Sequence, residues 1–548
     1  MNHPCLITQP NVVMKFSKIY LQAFVSGLLL WLGFPMFDFA PLLFVALVPM
    51  LLSLEQLRKS ENRAWQRFAV TYTTFLTWNI ASTWWVYNAS AGGAIAAIIL
   101  NALLQSVPVL LYYFVEQKFK SDYRWMVLII FWVAFEKIHL TWEFTWPWLT
   151  LGNAFTSQIH WIQWYEFTGH LGGSVWIWAA NISLFLAIFK YHKLPVTTRW
   201  IKPVAIIAIP ILFSFMVEFV YDAKHSMDKN QTQNFLLIQP NIDPYNEKFT
   251  EGSSSNQLNK FFNLIEKNID AQQSTIIALP ETALSTGIWL DNFNNDEQII
   301  TIKNFLKKYP KAKLITGASI IEAYDIAKTP TAERVGVSTK YADIFNASVL
   351  IDTTQQFQKY YKSKLVPGVE RMPYPGFFKF LKPLLIDMGG ASTNNGTQPE
   401  RTNLAANQFK IAAMVCYESI YGSFVSGFVK NGANVLLIIT NDGWWGETPG
   451  YKQHFEFAKL RAIENRREVL QCANTGISGV IDEKGNVISK TQYWQSDVVK
   501  HQAKMMFDKT IFVQFGNEME WAFVLLAILI LVVLTFKKNV RYNEQSST

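Results

Sequence analysis

The sequence predicts an α-helical membrane domain with several spans, followed by an α/β domain and one last membrane helix. Composition changes along the 548 residues, because residues 1–222 hold 15 of the 20 Trp but only 24 of the 90 charged side chains. Beyond residue 234, short apolar runs alternate with polar stretches. We therefore expect seven transmembrane helices in residues 1–222, the α/β domain in residues 223–516, and an eighth transmembrane helix with a tail in residues 517–548.

Half of all residues are apolar and 16% are charged, which excludes a disordered chain. Each predicted span is an apolar segment close to the length of about 20 residues that a helix needs to cross a bilayer core of about 30 Å. The second segment is shorter than the others. The eight segments are Phe16–Phe34, Ala40–Leu54, Phe68–Tyr87, Ala94–Val115, Trp125–Trp142, Gly172–Phe189, Trp200–Val220 and Glu520–Phe536.

Among the short connections between these spans, Lys and Arg lie only in alternate ones. The connections that carry them hold 16 cations in all and lie near residues 15–18, 58–67, 118–124, 190–202 and 537–541. The connections near residues 35–39, 88–93 and 143–171 hold none. The positive-inside rule then places both termini inside and residues 223–516 outside. The net charge of +8 thus reflects topology, and we expect the lipid bilayer, not nucleic acid, as a partner.

The outer stretch of residues 142–173 contains five Trp and no Lys or Arg. Two interpretations are open: an aromatic belt at the membrane interface, or a lipid-facing platform beneath the outer domain with Glu143 and Glu166 as its polar points. Glu136 and Lys137 fall inside a predicted span. Ionised side chains at that depth need a partner or a polar cavity.

Seven apolar runs predict the strands of the α/β domain, and the polar amphipathic stretches between them predict its helices. The runs are residues 234–241, 274–282, 312–320, 346–353, 411–419, 433–442 and 469–482. The domain contains no glycine-rich phosphate loop and no metal-ligand spacing. We therefore expect a reaction that uses neither a cofactor nor a metal.

Three chemically useful side chains stand at the ends of predicted strands: Glu281, Lys362 and Cys416. A cysteine after an apolar strand is, taken alone, more often a small buried hydrophobe than a nucleophile. A thiolate nucleophile, however, needs a base to take its proton and a cation to stabilise the developing oxyanion. The three residues together therefore indicate covalent catalysis.

With these residues, the chain resembles the carbon-nitrogen hydrolase (nitrilase) superfamily, whose Glu-Lys-Cys triad lies in an αββα sandwich. Seven spans before the domain and one after it resemble the membrane branch, the apolipoprotein N-acyltransferases. The resemblance implies that Glu281 is the general base, Lys362 rather than Lys364 the oxyanion-stabilising cation, and Cys416 the nucleophile. The matching motifs are QPNI at 239–242, LPET at 279–282, ITGAS at 315–319, Asn346, YKSKLVPGVE at 361–370, CYES at 416–419, NDGWWG at 441–446, His454 and ANTGISGVID at 473–482.

The resemblance also implies supporting residues. Glu370 corresponds to a carboxylate that orients Lys362 or substrate, and its motif reads LVPGVE where the family has LVPFGE. Phe249 stands where the family favours a Trp after the first strand. The further residues implied to support or bind substrate are Tyr417, Glu418, Trp444, Trp445 and His454.

The implied reaction is N-acylation of the α-amino group of an N-terminal S-diacylglyceryl-cysteine on bacterial apolipoproteins. The acyl donor is a membrane phospholipid, and the acyl group passes through a thioester on Cys416. The implied location is the bacterial inner membrane, with the catalytic domain periplasmic and both termini cytoplasmic. The alternatives are a membrane-tethered amidase or nitrilase that hydrolyses a small amide, and a transporter with an accessory domain.

Residues 375–402 separate the motifs of Lys362 and Cys416. The first half interleaves Phe377, Phe378 and Leu381 with lysines, which suits a short element at the membrane interface. The second half is rich in Gly, Asn, Ser and Thr, which suits a hinge. Two interpretations are open: a mobile lid over the site, or a segment that packs on the domain.

Overall fold

The computed structural model describes residues 10–37, 39–59, 63–118, 124–225, 231–248, 252–336, 338–371, 373–374 and 394–546. Helices come first, two packed β-sheets follow, and a long helix ends the chain. The predicted fold class, a helical membrane domain joined to an α/β sandwich, is thereby confirmed.

The helices of the described chain are α1 (Pro10–Gly33), α2 (Val48–Gln56), α3 (Arg63–Thr83), α4 (Ala91–Val115), α5 (Arg124–His139), α6 (Tyr165–Thr168), α7 (His170–Phe189), α8 (Val196–His225), α9 (Ser253–Glu266), α10 (Glu297–Leu306), α11 (Gly422–Lys430), α12 (Pro449–Asn465) and α13 (Ile511–Ser546). Among the described residues, four segments are long and apolar enough to cross a membrane: α4, α7, α8 and residues 511–534 of α13. The other predicted spans coincide with α1, α3, α5 and the shorter apolar segment Ala40–Gln56. That all eight cross the bilayer stays a prediction.

Lys137 of α5, one of the two charged residues predicted inside a span, pairs with the C-terminal helix. Its Nζ donates to Oε2 of Glu520 at 2.6 Å and to Oδ1 of Asn517 at 2.9 Å. The side chains of Lys137 and Glu520 are 1% and 3% exposed. A buried ion pair of this kind is favourable only when its geometry is good and further hydrogen bonds support it. The contact therefore fixes α13 against α5, although the two helices are far apart in the sequence.

Residues 142–173, which we call the platform, form short 3₁₀ turns and α6 between α5 and α7. Trp148 and Trp164 are only 3% and 7% exposed. The ring of Trp148 lies 6.1 Å from that of Tyr417, in the α/β domain. The aromatic-belt interpretation is therefore wrong for these two Trp, since they are covered by protein and not by lipid.

The two carboxylates of the platform also reach the α/β domain. Glu143 lies 3.7 Å from the guanidinium of Arg371. Glu166 forms an ion pair with Arg466, which also donates to Oε1 of Gln163 at 2.7 Å. The platform is thus a support on which the α/β domain sits.

Fourteen strands in the described residues form two sheets. They are β1 (Gln231–Gln239), β2 (Thr275–Ala278), β3 (Leu284–Trp289), β4 (Lys313–Tyr324), β5 (Glu333–Arg334), β6 (Tyr341–Ile351), β7 (Phe357–Tyr361), β8 (Leu404–Ala406), β9 (Phe409–Val415), β10 (Val435–Thr440), β11 (Val469–Ala473), β12 (Gly479–Ile481), β13 (Val487–Lys490) and β14 (Asp497–Met505). One sheet has the order β14-β1-β2-β4-β6-β5, with β3 beside β4 and β7 beside β6. The other has the order β13-β12-β11-β10-β9-β8.

The strands of the first sheet send alternate side chains to its two faces. Leu236 and Ile238 of β1 belong to one apolar cluster with Phe261 of α9 and Ile302 of α10. Leu237, between them, belongs to the cluster that includes the second sheet. The first sheet is therefore buried on both sides, by helices on one face and by the second sheet on the other.

The second sheet packs in the same way. Its β9 and β10 share an apolar cluster with Val425 of α11 and Phe455 of α12. The two sheets meet directly, since the hydroxyl of Ser348 in β6 donates to the carbonyl of Ala413 in β9 at 2.7 Å. The layers are thus helix, sheet, sheet, helix, the αββα order expected from the resemblance.

The Lys137–Glu520 pair leads to a stability prediction. Lys137→Met should lower the free energy of unfolding by about 3–5 kcal/mol, because the Glu520 carboxylate is then buried without a cation. The double variant Lys137→Met with Glu520→Met should recover most of that loss, since no charge is left buried. Thermal unfolding of the purified variants in detergent measures both. A double variant no more stable than the single one would show that the ion pair is not what holds α13 in place.

Candidate active site

A cavity of about 410 Å³ lies between the membrane domain and the α/β domain. The α/β domain contributes Glu281, Lys362 and Cys416 to its wall. The membrane domain contributes Trp85, from the turn after α3, and Trp148, from the platform. The three residues singled out in the sequence therefore meet in one cavity, and neither domain forms that cavity alone.

Cys416 stands at the sharp turn between β9 and the 3₁₀ helix Cys416–Ile420. Its φ of 52° lies in the left-handed region, which costs a residue other than glycine about 1–3 kcal/mol. The hydroxyl of Ser419 donates to the Cys416 carbonyl at 2.8 Å and closes the turn. The turn presents the thiol to the cavity from the end of a buried strand.

Lys362 follows β7 and lies between two carboxylates. Its Nζ is 3.1 Å from Oε1 of Glu281 and 2.8 Å from Oε1 of Glu370. The Lys362 side chain is only 1% exposed. Of the two roles that the resemblance left open for Glu370, orienting Lys362 is the one supported by a direct contact.

Asn346 of β6 connects the same two carboxylates. Its Nδ2 donates to Oε1 of Glu281 at 2.8 Å and to Oε1 of Glu370 at 3.2 Å. The backbone carbonyl of Asn346 accepts a hydrogen bond from the backbone N–H of Lys362 at 2.8 Å. Asn346 therefore sets the positions of all three charged groups. Asn346 belongs to the family motifs in the sequence, but its role becomes visible only in the structure.

The loop that carries Glu281 depends on a close approach to β4. A Cβ on Gly317 would lie 2.3 Å from the backbone nitrogen of Thr282 and 2.7 Å from Cα of Glu281. The N–H of Gly317 donates to the carbonyl of Pro280 at 3.2 Å. Glycine in the ITGAS motif is thus required so that the LPET loop can lie directly on the strand.

The charges in the cavity act on one another. Burial raises the pKa of the Cys416 thiol and Glu281 raises it further, although Lys362 acts in the opposite direction. Burial also raises the pKa of Glu281, but Lys362 and Lys248 outweigh it and hold that pKa below its usual range. Burial lowers the pKa of Lys362, yet Glu281 and Glu370 outweigh it and hold that pKa well above its usual range. At neutral pH the site therefore contains a protonated thiol, an ionised carboxylate and a charged lysine.

Glu418 joins the turn of Cys416 to the loop of Lys362. Its Oε1 accepts from the hydroxyl of Tyr360 and from the backbone N–H of Ser363, each at 2.6 Å. Its Oε2 accepts the backbone N–H of Val415 at 2.9 Å. Glu418 is fully buried. These contacts fix the spacing of the Cys416 thiol and the Lys362 ammonium.

Tyr417, Trp444 and Trp445 all line the cavity. Trp445 forms a triangle with the two tryptophans of the membrane domain, its ring centroid 4.8 Å from Trp85 and 5.5 Å from Trp148. Trp85 and Trp148 are 4.9 Å apart. We call Trp85, Trp148 and Trp445 the tryptophan wall. It gives the cavity an apolar side next to the membrane domain.

His454 of α12 lies behind Cys416 and also lines the cavity. Its Nδ1 is 2.9 Å from Oδ1 of Asp442, and its Nε2 is 2.9 Å from the hydroxyl of Ser419 and 3.2 Å from the Cys416 carbonyl. Burial lowers the pKa of His454, but Asp442 outweighs it and the pKa is raised. His454 therefore supports the turn of Cys416 from its backbone side.

Two lysines near the triad have other contacts. Lys364 donates from Nζ to the carbonyl of Leu140 at 3.1 Å and lies over the ring of Tyr421, so it joins the two domains. Lys248 is 3% exposed and donates to the backbone carbonyl of Glu281 at 2.9 Å. Burial lowers the pKa of Lys248 to about 8, with Glu281 partly opposing it. Sequence analysis overlooked Lys248, since a single lysine in a loop carries no signal.

Some predicted residues cannot be placed. Phe249 lies outside the described residues, as do Phe377, Phe378 and Leu381 of the predicted lid. Within the described part of the chain, no group of three or more His, Cys, Asp or Glu is arranged to hold a metal.

Comparison with known proteins gives matches to both halves of the chain. A family model described as the apolipoprotein N-acyltransferase N-terminal domain matches residues 26–183, and one described as carbon-nitrogen hydrolase matches residues 237–505. A relative from Chlorobaculum tepidum named apolipoprotein N-acyltransferase is 29% identical over 493 residues, covering 88% of this chain and 90% of its own. Relatives of the same name from Geobacter metallireducens and Haemophilus influenzae are 25% and 26% identical, and cover 95% and 94% of this chain and 96% and 95% of their own.

The charges around the thiol predict opposite pH shifts for two variants. Glu281→Gln removes a negative charge and should lower the pKa of the Cys416 thiol, whereas Lys362→Met removes a positive charge and should raise it, each by about one unit or more. The rate of iodoacetamide alkylation of Cys416 against pH, read by mass spectrometry in a Cys472→Ala background, measures these shifts. Shifts in the same direction would show that the two charges do not act on the thiol as the geometry indicates.

Proposed function

Because this chain belongs to the apolipoprotein N-acyltransferase family of carbon-nitrogen hydrolases, and is thus a membrane-bound acyltransferase of lipoproteins, we propose that a phospholipid is its acyl donor and Cys416 its nucleophile. The acceptor is the α-amino group of an N-terminal S-diacylglyceryl-cysteine. One observation carries the proposal: Cys416, the Lys362–Glu281 pair and the tryptophan wall share a single cavity. A nucleophile that faces apolar space beside a membrane domain suits an acyl chain better than a small amide.

In the first half-reaction, Glu281 takes the proton of the Cys416 thiol as the sulfur attacks the ester carbonyl of the phospholipid. The carbonyl oxygen becomes an oxyanion, which the Lys362 ammonium stabilises. The C–O ester bond then breaks, and Glu281 returns the proton to the departing alkoxide. The products are a lysophospholipid and a thioester on Cys416.

In the second half-reaction, the neutral α-amino group of the lipoprotein attacks the thioester carbonyl, and Glu281 takes a proton from the amine. The C–S bond breaks, the thiolate regains a proton, and an amide is released. One base thus serves both halves in turn. A lowered pKa suits Glu281 for this role, since the carboxylate is ionised when each substrate arrives.

Three further contacts support the geometry that these steps need. Glu370 and Asn346 hold Lys362 and Glu281 together. Glu418 holds the turn of Cys416 against the loop of Lys362. Tyr417, Trp444 and the tryptophan wall line the remaining space, which we propose accommodates the acyl chain.

We also propose the inner membrane as the location, with residues 223–516 periplasmic and both termini cytoplasmic. The arrangement of cations supports this topology. Glu116, at the end of α4, lies 3.3 Å from Arg58, 3.7 Å from Arg67 and 3.8 Å from Arg124. Arg58 follows α2, Arg67 lies near the start of α3, and Arg124 begins α5. The cation-rich ends of four helices therefore meet on one side.

The thioester gives the first prediction of this mechanism. Incubation with phosphatidylethanolamine should add the mass of one acyl group to the protein, and hydroxylamine should remove it. Cys416→Ala should abolish the adduct. Cys472→Ala, whose Sγ lies between the sheets at 3.2 Å from the carbonyl of Ala278, should retain it. Intact-protein mass spectrometry reads all three, and an adduct in the Cys416→Ala protein would exclude this nucleophile.

The topology gives a second prediction. Alkaline phosphatase fused after Lys224 or after Asn517 should be active, because that reporter folds only on the periplasmic side. The same reporter after Arg541 should be inactive, and green fluorescent protein there should fluoresce. The opposite pattern at either end would remove a span from the proposed count.

A further inference from the structure

A second cavity, of about 440 Å³, lies between α6, α8 and the link from β14 to α13. We call it the α8 groove. Of the described residues that line it, none also lines the catalytic cavity. Its size falls within the range of about 300–1,000 Å³ typical of ligand sites. The proposed reaction makes no use of it.

One end of the α8 groove is apolar and open to lipid. It is lined by Phe167 of the platform and by Phe213, Met216, Val217 and Val220 of α8. Val217 is 6% exposed, but Met216 and Val220 are 53% and 57% exposed. Only 11% of the most apolar window of α8 is buried in protein. An acyl chain can therefore reach this end of the groove sideways from the bilayer.

The other end of the α8 groove is polar. Lys224 and His225 of α8, and Asp508, Lys509 and Thr510 of the link, line it. Phe213 and Lys224 are separated by about 16 Å along the helix axis, at about 1.5 Å per residue. The lining thus changes from apolar to charged along α8, which is apolar enough to cross the membrane. A phospholipid in the leaflet next to the α/β domain changes from acyl chain to headgroup in the same direction.

The charges around the α8 groove leave an excess of one positive charge. The cations of the lining are Lys224, Arg466 and Lys509, and the carboxylates are Glu166 and Asp508. A phosphodiester carries one negative charge, so the two are complementary. Lys224 pairs with Asp508 at 2.7 Å, but the two side chains are 64% and 67% exposed. An ion pair this exposed is weak, and a phosphate can share its lysine.

Tyr221 lines the α8 groove between its two ends. The hydroxyl of Tyr221 is buried and has no hydrogen-bond partner among the described residues. Its ring is covered by the guanidinium of Arg466 at 4.5 Å and by the ring of His225 at 4.2 Å. These contacts hold the Tyr221 ring in the wall of the groove, between its apolar end and its polar end.

From this lining we propose that the α8 groove binds one anionic phospholipid, separately from any substrate in the catalytic cavity. The acyl chain lies along Phe213 to Val220, and the phosphodiester lies between Lys224 and Lys509. The bound lipid joins α8, whose apolar surface is mostly exposed, to the link that leads into α13. The ligand class is a phospholipid with a net charge of −1.

The test uses the full-length protein in phosphatidylcholine vesicles that contain a trace of phosphatidylglycerol with a photoreactive diazirine on one acyl chain. Mass spectrometry of the digested protein should find label on the peptide that contains residues 213–221. Lys224→Glu with Lys509→Glu should lower that labelling about tenfold, because two cations near the headgroup are reversed. Unlabelled phosphatidylglycerol should compete, and diacylglycerol, which has no phosphate, should not.

Two neighbouring positions of α8 provide a matched pair. Val220→Trp fills the groove and should also lower the labelling, whereas Phe219→Trp, at a position 74% exposed and outside the lining, should leave it unchanged. Equal labelling in these two variants, or equal competition by diacylglycerol, would mean that only the general lipid shell contacts α8, and would overturn the proposal. The readout does not require thioester formation, so it is independent of the proposed reaction.

Discussion

The buried ammonium of Lys362 is the interaction on which the rest of the site depends. A charge removed from water needs oppositely charged partners close by. Glu281 comes from the loop after β2 and Glu370 from the loop after β7, and Asn346 of β6 holds both carboxylates. These groups meet only when the first sheet is complete. Glu418 then connects them to the Cys416 turn, which follows a strand of the second sheet. The sandwich is thus the means by which a base, a cation and a thiol are held together.

The second constraint is that the cavity belongs to two domains. The tryptophan wall takes Trp85 from the turn after α3, Trp148 from the platform and Trp445 from a loop after β10. The Lys137–Glu520 pair fixes the last helix to the membrane domain and closes the chain on itself. An α/β domain separated from its helices would keep the charged residues but lose the apolar side of the site. This requirement explains why the α/β domain is attached here to membrane helices.

Sequence reasoning predicted the parts of the fold that have strong local patterns. All seven apolar runs contain strands, since strands buried on both faces read as continuous apolar segments. The strand β14 was not predicted because it is only partly buried and polar residues such as Lys500, His501 and Lys504 interrupt its apolar ones. The triad residues could be selected because each follows a strand. The roles of Trp85 and Trp148 could not be predicted. Their partner Trp445 is about 300 or more residues away in the sequence, and an isolated tryptophan in a membrane half most simply indicates an interface anchor.

We propose above all that an acyl group held on Cys416 passes to an amine. This transfer is tested most directly by following a radiolabelled acyl-enzyme after excess phospholipid has been removed. The isolated thioester is mixed with an S-diacylglyceryl-cysteinyl peptide, or with the same peptide acetylated at its α-amino group. We expect the label to move into an amide on the free-amine peptide, and to stay on the protein when the acetylated peptide is added. Release of the label as free fatty acid at the same rate in both mixtures would contradict this expectation and would identify a hydrolase.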